Sequence, residues 1–189
     1  MRNPYRKTVV SASDRLRRMV WNVACSLLYC SSPNFMFGWR RVLLRCFGAT
    51  IERGAHPYPT AKIWAPWNLW LGEDACLGPD VDCYNVAAVK ILAGAIVSQG
   101  AFLCTASHDY RDPLFPLITA PITISDGSWI CARAFIGPGV NVGARAVVAA
   151  CSVVTGDVPA NYVVGGNPVT VIKSDGRVLS SSEPRVCSQ

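Results

Sequence analysis

The chain is poor in histidine and in charge. Only two histidines stand among 189 residues, and 16% of the chain is charged. Nine cysteines are present, an odd number, and no two are spaced as C-x-x-C. That pattern excludes a zinc ribbon and a disulfide frame and points to free thiols in a reducing compartment. Read singly, the cysteines are small apolar filler. No long apolar run exists. The best candidate, 19–30, falls short of the roughly 20 residues a bilayer requires. No small-residue cleavage pattern follows it, so it is not read as a signal peptide. Nothing resembling a base-reading motif accompanies the positive charge, which argues against nucleic acid as a partner.

The charge itself is unevenly placed. The whole chain is +6, yet residues 1–53 alone hold ten bases against Asp14 and Glu52, a balance of +8. The remainder is −2. A basic N-terminal segment suits an anionic surface such as membrane phospholipid. Residues 1–11 are polar and read as loose. Ser13 is placed to cap a helix from about Asp14, and Leu16, Met19, Val20, Val23, Leu27 and Leu28 recur on one helical face. A second helix is expected over 35–47, with Gly48 where a terminating glycine belongs. This arm has two readings that can coexist. It caps an open end of the fold, or it lies on the cytoplasmic leaflet.

What the chain has instead is a period of six. Hexads start at Ile124, Ile130, Ile136, Val142, Val148 and Val154, and position one is always aliphatic. Position five is small or β-branched: Ser128, Ala134, Val140, Ala146, Ser152 and Val158. This period fits neither a helix nor an isolated amphipathic strand, and it marks a parallel β-helix. Upstream, one hexad starts at Ile51. The stretch 57–70, rich in Pro and Trp, reads as a widened turn. The register returns at Leu71, Leu77 and Cys83, slips by two across 84–90, and resumes at Ile91, Val97 and Leu103. Residues 109–121 carry no hexad and three prolines, so they form an ejected loop, usually functional or a contact to a neighbouring chain. Residues 165–168 make a turn, 169–173 a closing strand, and 174–189 a flexible tail. The fold class is an all-β solenoid: a basic helical arm over 1–48, a β-helix over 49–173, and a tail.

His108 stands at the last corner before the ejected loop, and an imidazole is the side chain type suited to a general base near neutrality. His56 precedes the Pro-rich stretch and reads as structural. Several motifs then carry a resemblance. They are R-R-V-L-L-R-C-F-G over 40–48, I-W-A-P-W over 63–67, D-C-Y-N over 82–85, C-T-A-S-H-D-Y over 104–110, and G-G-N-P from Gly165. Together they resemble the hexapeptide-repeat O-acetyltransferases of the maltose/galactoside type. They are also similar to the colanic acid biosynthesis acetyltransferases of bacterial exopolysaccharide clusters.

The resemblance implies left-handed winding, against the usual crossover rule, and a homotrimer with sites between chains. It implies acetyl-CoA as co-substrate, no required metal, and a carbohydrate acceptor that is nucleotide-linked, lipid-linked or an oligosaccharide. It assigns His108 as catalytic base and Asp82, Tyr84 and Asn85 as acceptor-binding. It assigns Trp129, Ala132, Ala150, Thr155, Gly156 and Lys173 to the cofactor. Gly156 and Thr170 stand where relatives often carry bases, which moves phosphate contacts toward Arg133, Arg145 or Arg177. The protein is expected in the cytoplasm, with residues 1–47 a possible contact to the inner face of the plasma membrane. Alternatives on the same fold are an N-acyltransferase acting on an aminosugar and a non-catalytic scaffold. A γ-type carbonic anhydrase needs three histidines on zinc, and His56 and His108 do not match that pattern.

Overall fold

Every hexad closes one side of a three-sided coil. The computed structural model describes residues 12–174 and the short strand Arg177–Val178. Position-one side chains point inward and pair from coil to coil in parallel register. One ladder runs Ile51, Leu71, Ile91, Ile124 and Val142. The second runs Pro57, Leu77, Val97, Ile130, Val148 and Val164. The third runs Ile63, Cys83, Leu103, Ile136 and Val154. Almost all of these are fully buried, each aliphatic side chain contributing about 1.5–3 kcal/mol by leaving water. Position five also points inward, and only a small residue fits beneath the bend. Ala134, Ala146 and Ser152 are completely buried. Position four makes the bend: Gly127, Arg133, Gly139, Arg145 and Cys151 all have positive φ.

Coil length changes along the stack. Ile51, Leu71 and Ile91 are 20 residues apart, Ile91 and Ile124 are 33 apart, and Ile124 and Val142 are 18 apart. Three hexads account for 18. The two extra residues in each early coil widen the corner between the third and first faces, at 65–68 and 85–88. The long coil widens the same corner into an arm. Its strands Ala106–His108 and Leu117–Thr119 pair antiparallel. The ejected segment is therefore an extreme form of the corner insert, and it begins at Ala106 instead of residue 109.

The widened turn expected over 57–70 is narrower than that. His56–Pro57 and Lys62–Ile63 are regular strands, and only the corner with the short helix Pro66–Asn68 is irregular. Pro57 fits because it lies in the first coil, where its missing N–H faces an open edge with no strand to meet. At the other end, Tyr162–Gly165 and Thr170–Ser174 form an antiparallel hairpin about the expected turn, and Arg177–Val178 adds a further strand. The rest of the predicted tail and the loose segment 1–11 lie outside the described residues.

The helical arm caps the open edge. Helix α1 covers Ala12–Ala24 and runs into a π-helical turn at Cys25–Tyr29; helix α2 covers Phe37–Cys46. Ser13 lies inside the first turn of α1, not ahead of it. The exposed carbonyls of the first coil are met one by one. Arg45 donates to Ile51, Arg41 to Ala55, Arg40 to Pro57, Tyr29 to Tyr58 and Trp21 to Ile63, at 2.6–2.9 Å. An unpaired strand edge invites another strand, and side-chain donors close it. Arg40 is wholly buried, and burial lowers its pKa. Arg40, Arg41 and Arg45, three of the ten bases counted over residues 1–53, are thus structural.

The packing face of α1 differs from the predicted one. Trp21 and Tyr29 go inside, while Leu16, Met19, Val20, Val23, Leu27 and Leu28 are all exposed. The cap is real, and the periodic apolar face is its outer side. Among the described residues, no helix is long and apolar enough to cross a membrane.

Candidate active site

The arm carries His108 at the end of its first strand, with the side chain exposed. Its corner is held from below. Thr105 donates its hydroxyl to the Tyr84 carbonyl and accepts from the Ala87 amide. The arm tip is braced by its own carboxylates: Asp109 accepts from the Arg111 amide and Asp112 from the Leu114 amide. Phe115 turns back over the imidazole with φ +46, a conformation uncommon for a bulky residue. Its ring stacks on His108 with centroids 4.5 Å apart and planes 7° from parallel. Its carbonyl lies 2.9 Å from Nδ1 of the same histidine. A carbonyl only accepts, so Nδ1 is the donor of this pair, and in the neutral ring Nε2 is the nitrogen with the lone pair.

Tyr84 and Asp82 stand on the outer side of the third face. The Tyr84 ring meets Trp64 edge-on at 4.9 Å. Asn85 does not fit the role expected of it. It is fully buried, its Oδ1 accepts from the Ala65 amide, and its Nδ2 donates to the Ala65 carbonyl. Both amide atoms are committed to the widened corner, as the Thr105 hydroxyl is one coil on. Asn85 is a corner clamp, and its full burial keeps it from a sugar.

The residues expected to hold the cofactor are spread over two corners. Trp129 lies on the outer side of the second face, half exposed, with its Nε1 donating to Ser98 Oγ at 2.8 Å. Ala132 and Ala150 occupy successive bends between the second and third faces. Their amides take no partner among the described residues, whereas the Ala132 carbonyl accepts from Cys151. Lys173 is exposed on the closing hairpin. Free amides and a lysine suit the amide carbonyls and phosphates of a coenzyme A arm. Thr155 and Gly156 lie at the other corner, in line with the base of the His108 arm. About six residues separate neighbouring corners, roughly 20 Å of extended chain. The imidazole and the Ala132–Ala150 bends therefore belong to different corners of the coil.

The outer sides of two faces are apolar. Cys76, Ile96, Trp129, Val147 and Val163 form a stripe on the second, and Phe102, Phe135 and Val153 one on the third. Sequence reasoning missed Phe115, because nothing in a Pro-rich loop announces a left-handed phenylalanine. It also missed a near pair of thiols: Cys25 and Cys30 lie with sulfurs 3.4 Å apart across the π-helical turn. The cysteines for which the structure describes a state are free, and Cys83 serves as core filler.

A stacked three-sided coil with a histidine arm at a widened corner is the build of a hexapeptide-repeat acyltransferase. The comparisons with known proteins make this specific. The chain is 37% identical over 160 residues to WcaF of Escherichia coli (strain K12), named for colanic acid biosynthesis acetyl transfer, covering 85% of this chain and 88% of that one. It is 27% identical over 137 residues to galactoside O-acetyltransferase of the same organism, covering 71% and 68%. The hexapeptide-repeat acetyltransferase VCA0836 of Vibrio cholerae, solved with acetyl coenzyme A, aligns with TM-score 0.74 and 28% identity over 87% of this chain and 90% of that one. No family model matches. The chain belongs to the hexapeptide-repeat acetyltransferases.

Proposed function

We propose that this acetyltransferase moves the acetyl group of acetyl-CoA to a sugar hydroxyl during surface or exopolysaccharide assembly, with His108 as general base. The observation that carries the reading is the Nδ1 contact to the Phe115 carbonyl, which leaves Nε2 as the acceptor. Nε2 takes the hydroxyl proton as the oxygen attacks the thioester carbonyl. The tetrahedral adduct then expels the thiolate, which recovers the proton from the imidazolium. The new C–O bond replaces the C–S bond and no proton is left over. A sugar hydroxyl is a weak acid at neutral pH, so a positioned base contributes about 10²–10⁴-fold. Holding donor and acceptor together supplies much of the remaining acceleration. No acyl-enzyme is required, and Cys104 instead donates its thiol to the Ala106 carbonyl.

The apolar outer stripes of the second and third faces support a homotrimer, in which a neighbouring chain brings its Ala132–Ala150 bends to the His108 arm. Asp82 and Tyr84 are the acceptor contacts in this reading. The exposed outer face of α1 is assigned to an anionic bilayer. Its apolar side chains flank a segment carrying Arg2, Arg6 and Lys7, a combination that suits headgroup-level insertion.

The direct test is His108→Ala in a purified assay that follows CoA release with a sugar acceptor. kcat is expected to fall by at least ~10²-fold with coenzyme A binding nearly intact. Near-normal turnover would remove His108 from the mechanism. Sedimentation should give three chains, and an active monomer would refute the shared site.

A further inference from the structure

A cleft of about 270 Å³ lies between α1 and the widened corner of the first coils. Asp14 and Arg18 of the helix form one wall, Trp64, Trp67 and Asn68 the floor, and Thr119 of the arm the mouth. Two arginines are laid on two indoles at this corner, and of the two it is Arg18 that lines the cleft. The Arg18 guanidinium carbon is 3.5 Å from the Trp64 ring centre, and that of Arg17 is 4.2 Å from Trp67. Stacking fixes each guanidinium plane and leaves its N–H groups pointing sideways along the ring. Arg18 Nε is buried and has no hydrogen-bond partner among the described residues. A buried donor left unmet is costly, and its persistence marks where an acceptor from outside belongs.

The cleft is close to the chemistry. Thr119 pairs with Ala106, two residues before His108 on the same strand, a separation of about 7 Å along the strand. That is the scale of one sugar ring. Trp64 also contacts Tyr84 on the outer face. The wall carries a carboxylate as well as a cation. A bare anion would be poorly served beside Asp14, whereas a phosphate esterified to a neutral sugar brings less charge against that carboxylate.

We infer that this cleft receives the phosphate of a glycosyl phosphate or diphosphate acceptor, with Arg18 as the phosphate-binding residue and Arg17 beside it. The inference rests on the acetyl-transfer reading and names the acceptor class it would use. The sugar reaches toward His108 while the phosphate stays beneath α1. The phosphate could come from a nucleotide-linked or a lipid-linked sugar; the chemistry at Arg18 is the same.

The test uses the full chain saturated with coenzyme A, so that the cofactor's own phosphate contacts are occupied. Binding of inorganic pyrophosphate is measured by calorimetry. Arg18→Met, which keeps the stem and loses the donors, should weaken binding at least tenfold. Thr119→Asp, an exposed change at the mouth, should also weaken it by placing a second carboxylate there, and it leaves the stacked pairs alone. No pyrophosphate binding, or binding unchanged in both variants, overturns the inference. Displacement by uridine diphosphate and by farnesyl pyrophosphate then identifies the source, the better competitor naming nucleotide or lipid. Failure of both to displace pyrophosphate also overturns it. Binding is read without turnover, so an enzyme that binds pyrophosphate through Arg18 yet transfers no acetyl group refutes the function and keeps the cleft.

Discussion

Replacing Phe115 by alanine isolates the part of catalysis that is pure positioning. The backbone carbonyl that accepts from Nδ1 remains, and so does the left-handed φ. What disappears is the ring lying 4.5 Å from the imidazole and nearly parallel to it. Aromatic pairs of this kind contribute about 0.5–1.5 kcal/mol beyond area burial. If that energy holds the imidazole in its working orientation, losing it lowers the productive population about 2- to 13-fold, at about 1.36 kcal/mol per decade. The expected result is a fall of that size in kcat, with KM for acetyl-CoA unchanged. The assay is initial-rate CoA release at several pH values. The decisive arm is the double variant with His108→Ala. A group that acts only through the histidine has nothing left to orient, so the double variant should match His108→Ala alone. A further 2- to 13-fold loss in the double variant would refute the reasoning, and so would wild-type kcat in Phe115→Ala.

Three further outcomes follow from the cap and the core. Arg40→Met removes four hydrogen bonds, to Pro57, Ser32, Pro33 and Asn34; the Pro57 and Asn34 carbonyls lose their partner, while Ser32 keeps Tyr29 and Pro33 keeps the Met36 amide. After allowing for relief of the buried charge, the loss should be about 3 kcal/mol, read from a denaturant midpoint; less than about 1 would mean water replaces the arginine freely. Burial pushes the Cys25 thiol up to about 12 and raises the Cys83 thiol and the Tyr29 phenol as well. The folded chain therefore keeps protons that the unfolded chain releases. Stability should be level below an ordinary thiol pKa of about 9 and fall progressively above it, in thermal melts taken against pH. A flat profile to pH 11 would count against it. Val20→Asp with Val23→Asp should abolish sedimentation with anionic liposomes and leave the thermal midpoint nearly unchanged, since both side chains are more than half exposed. Unchanged liposome binding would leave α1 a cap alone.

The solenoid was legible in the sequence because its inward positions are written in the chain every sixth residue, and each needs an aliphatic side chain. Ile124 through Val154 repeat without a break for that reason. The first coil was harder to read. Pro57 and Pro59 look like breakers, and only an edge coil tolerates Pro57 at position one. His108 was legible as a lone histidine beside a gap in the repeat, but Phe115 was not, since its role comes from a backbone carbonyl and a stack. Asn85 shared a motif with Tyr84, and the sequence could not say that its amide faces a neighbouring backbone. The basic arm was legible only in part. Charge counts record how many arginines there are, not which way they turn, and Arg40, Arg41 and Arg45 turn toward the coil.

Five donors on two helices silence the rim of the first coil. A solenoid has no intrinsic length, because each winding templates the next and an uncovered rim would keep recruiting. The arginine-and-aromatic lid is a stop signal that sets where this stack begins. It also makes head-to-head fibre growth at that end unavailable, so the molecule stays a discrete object. Moved onto another three-sided coil of the same girth, the segment 12–48 carries its own termination chemistry with it.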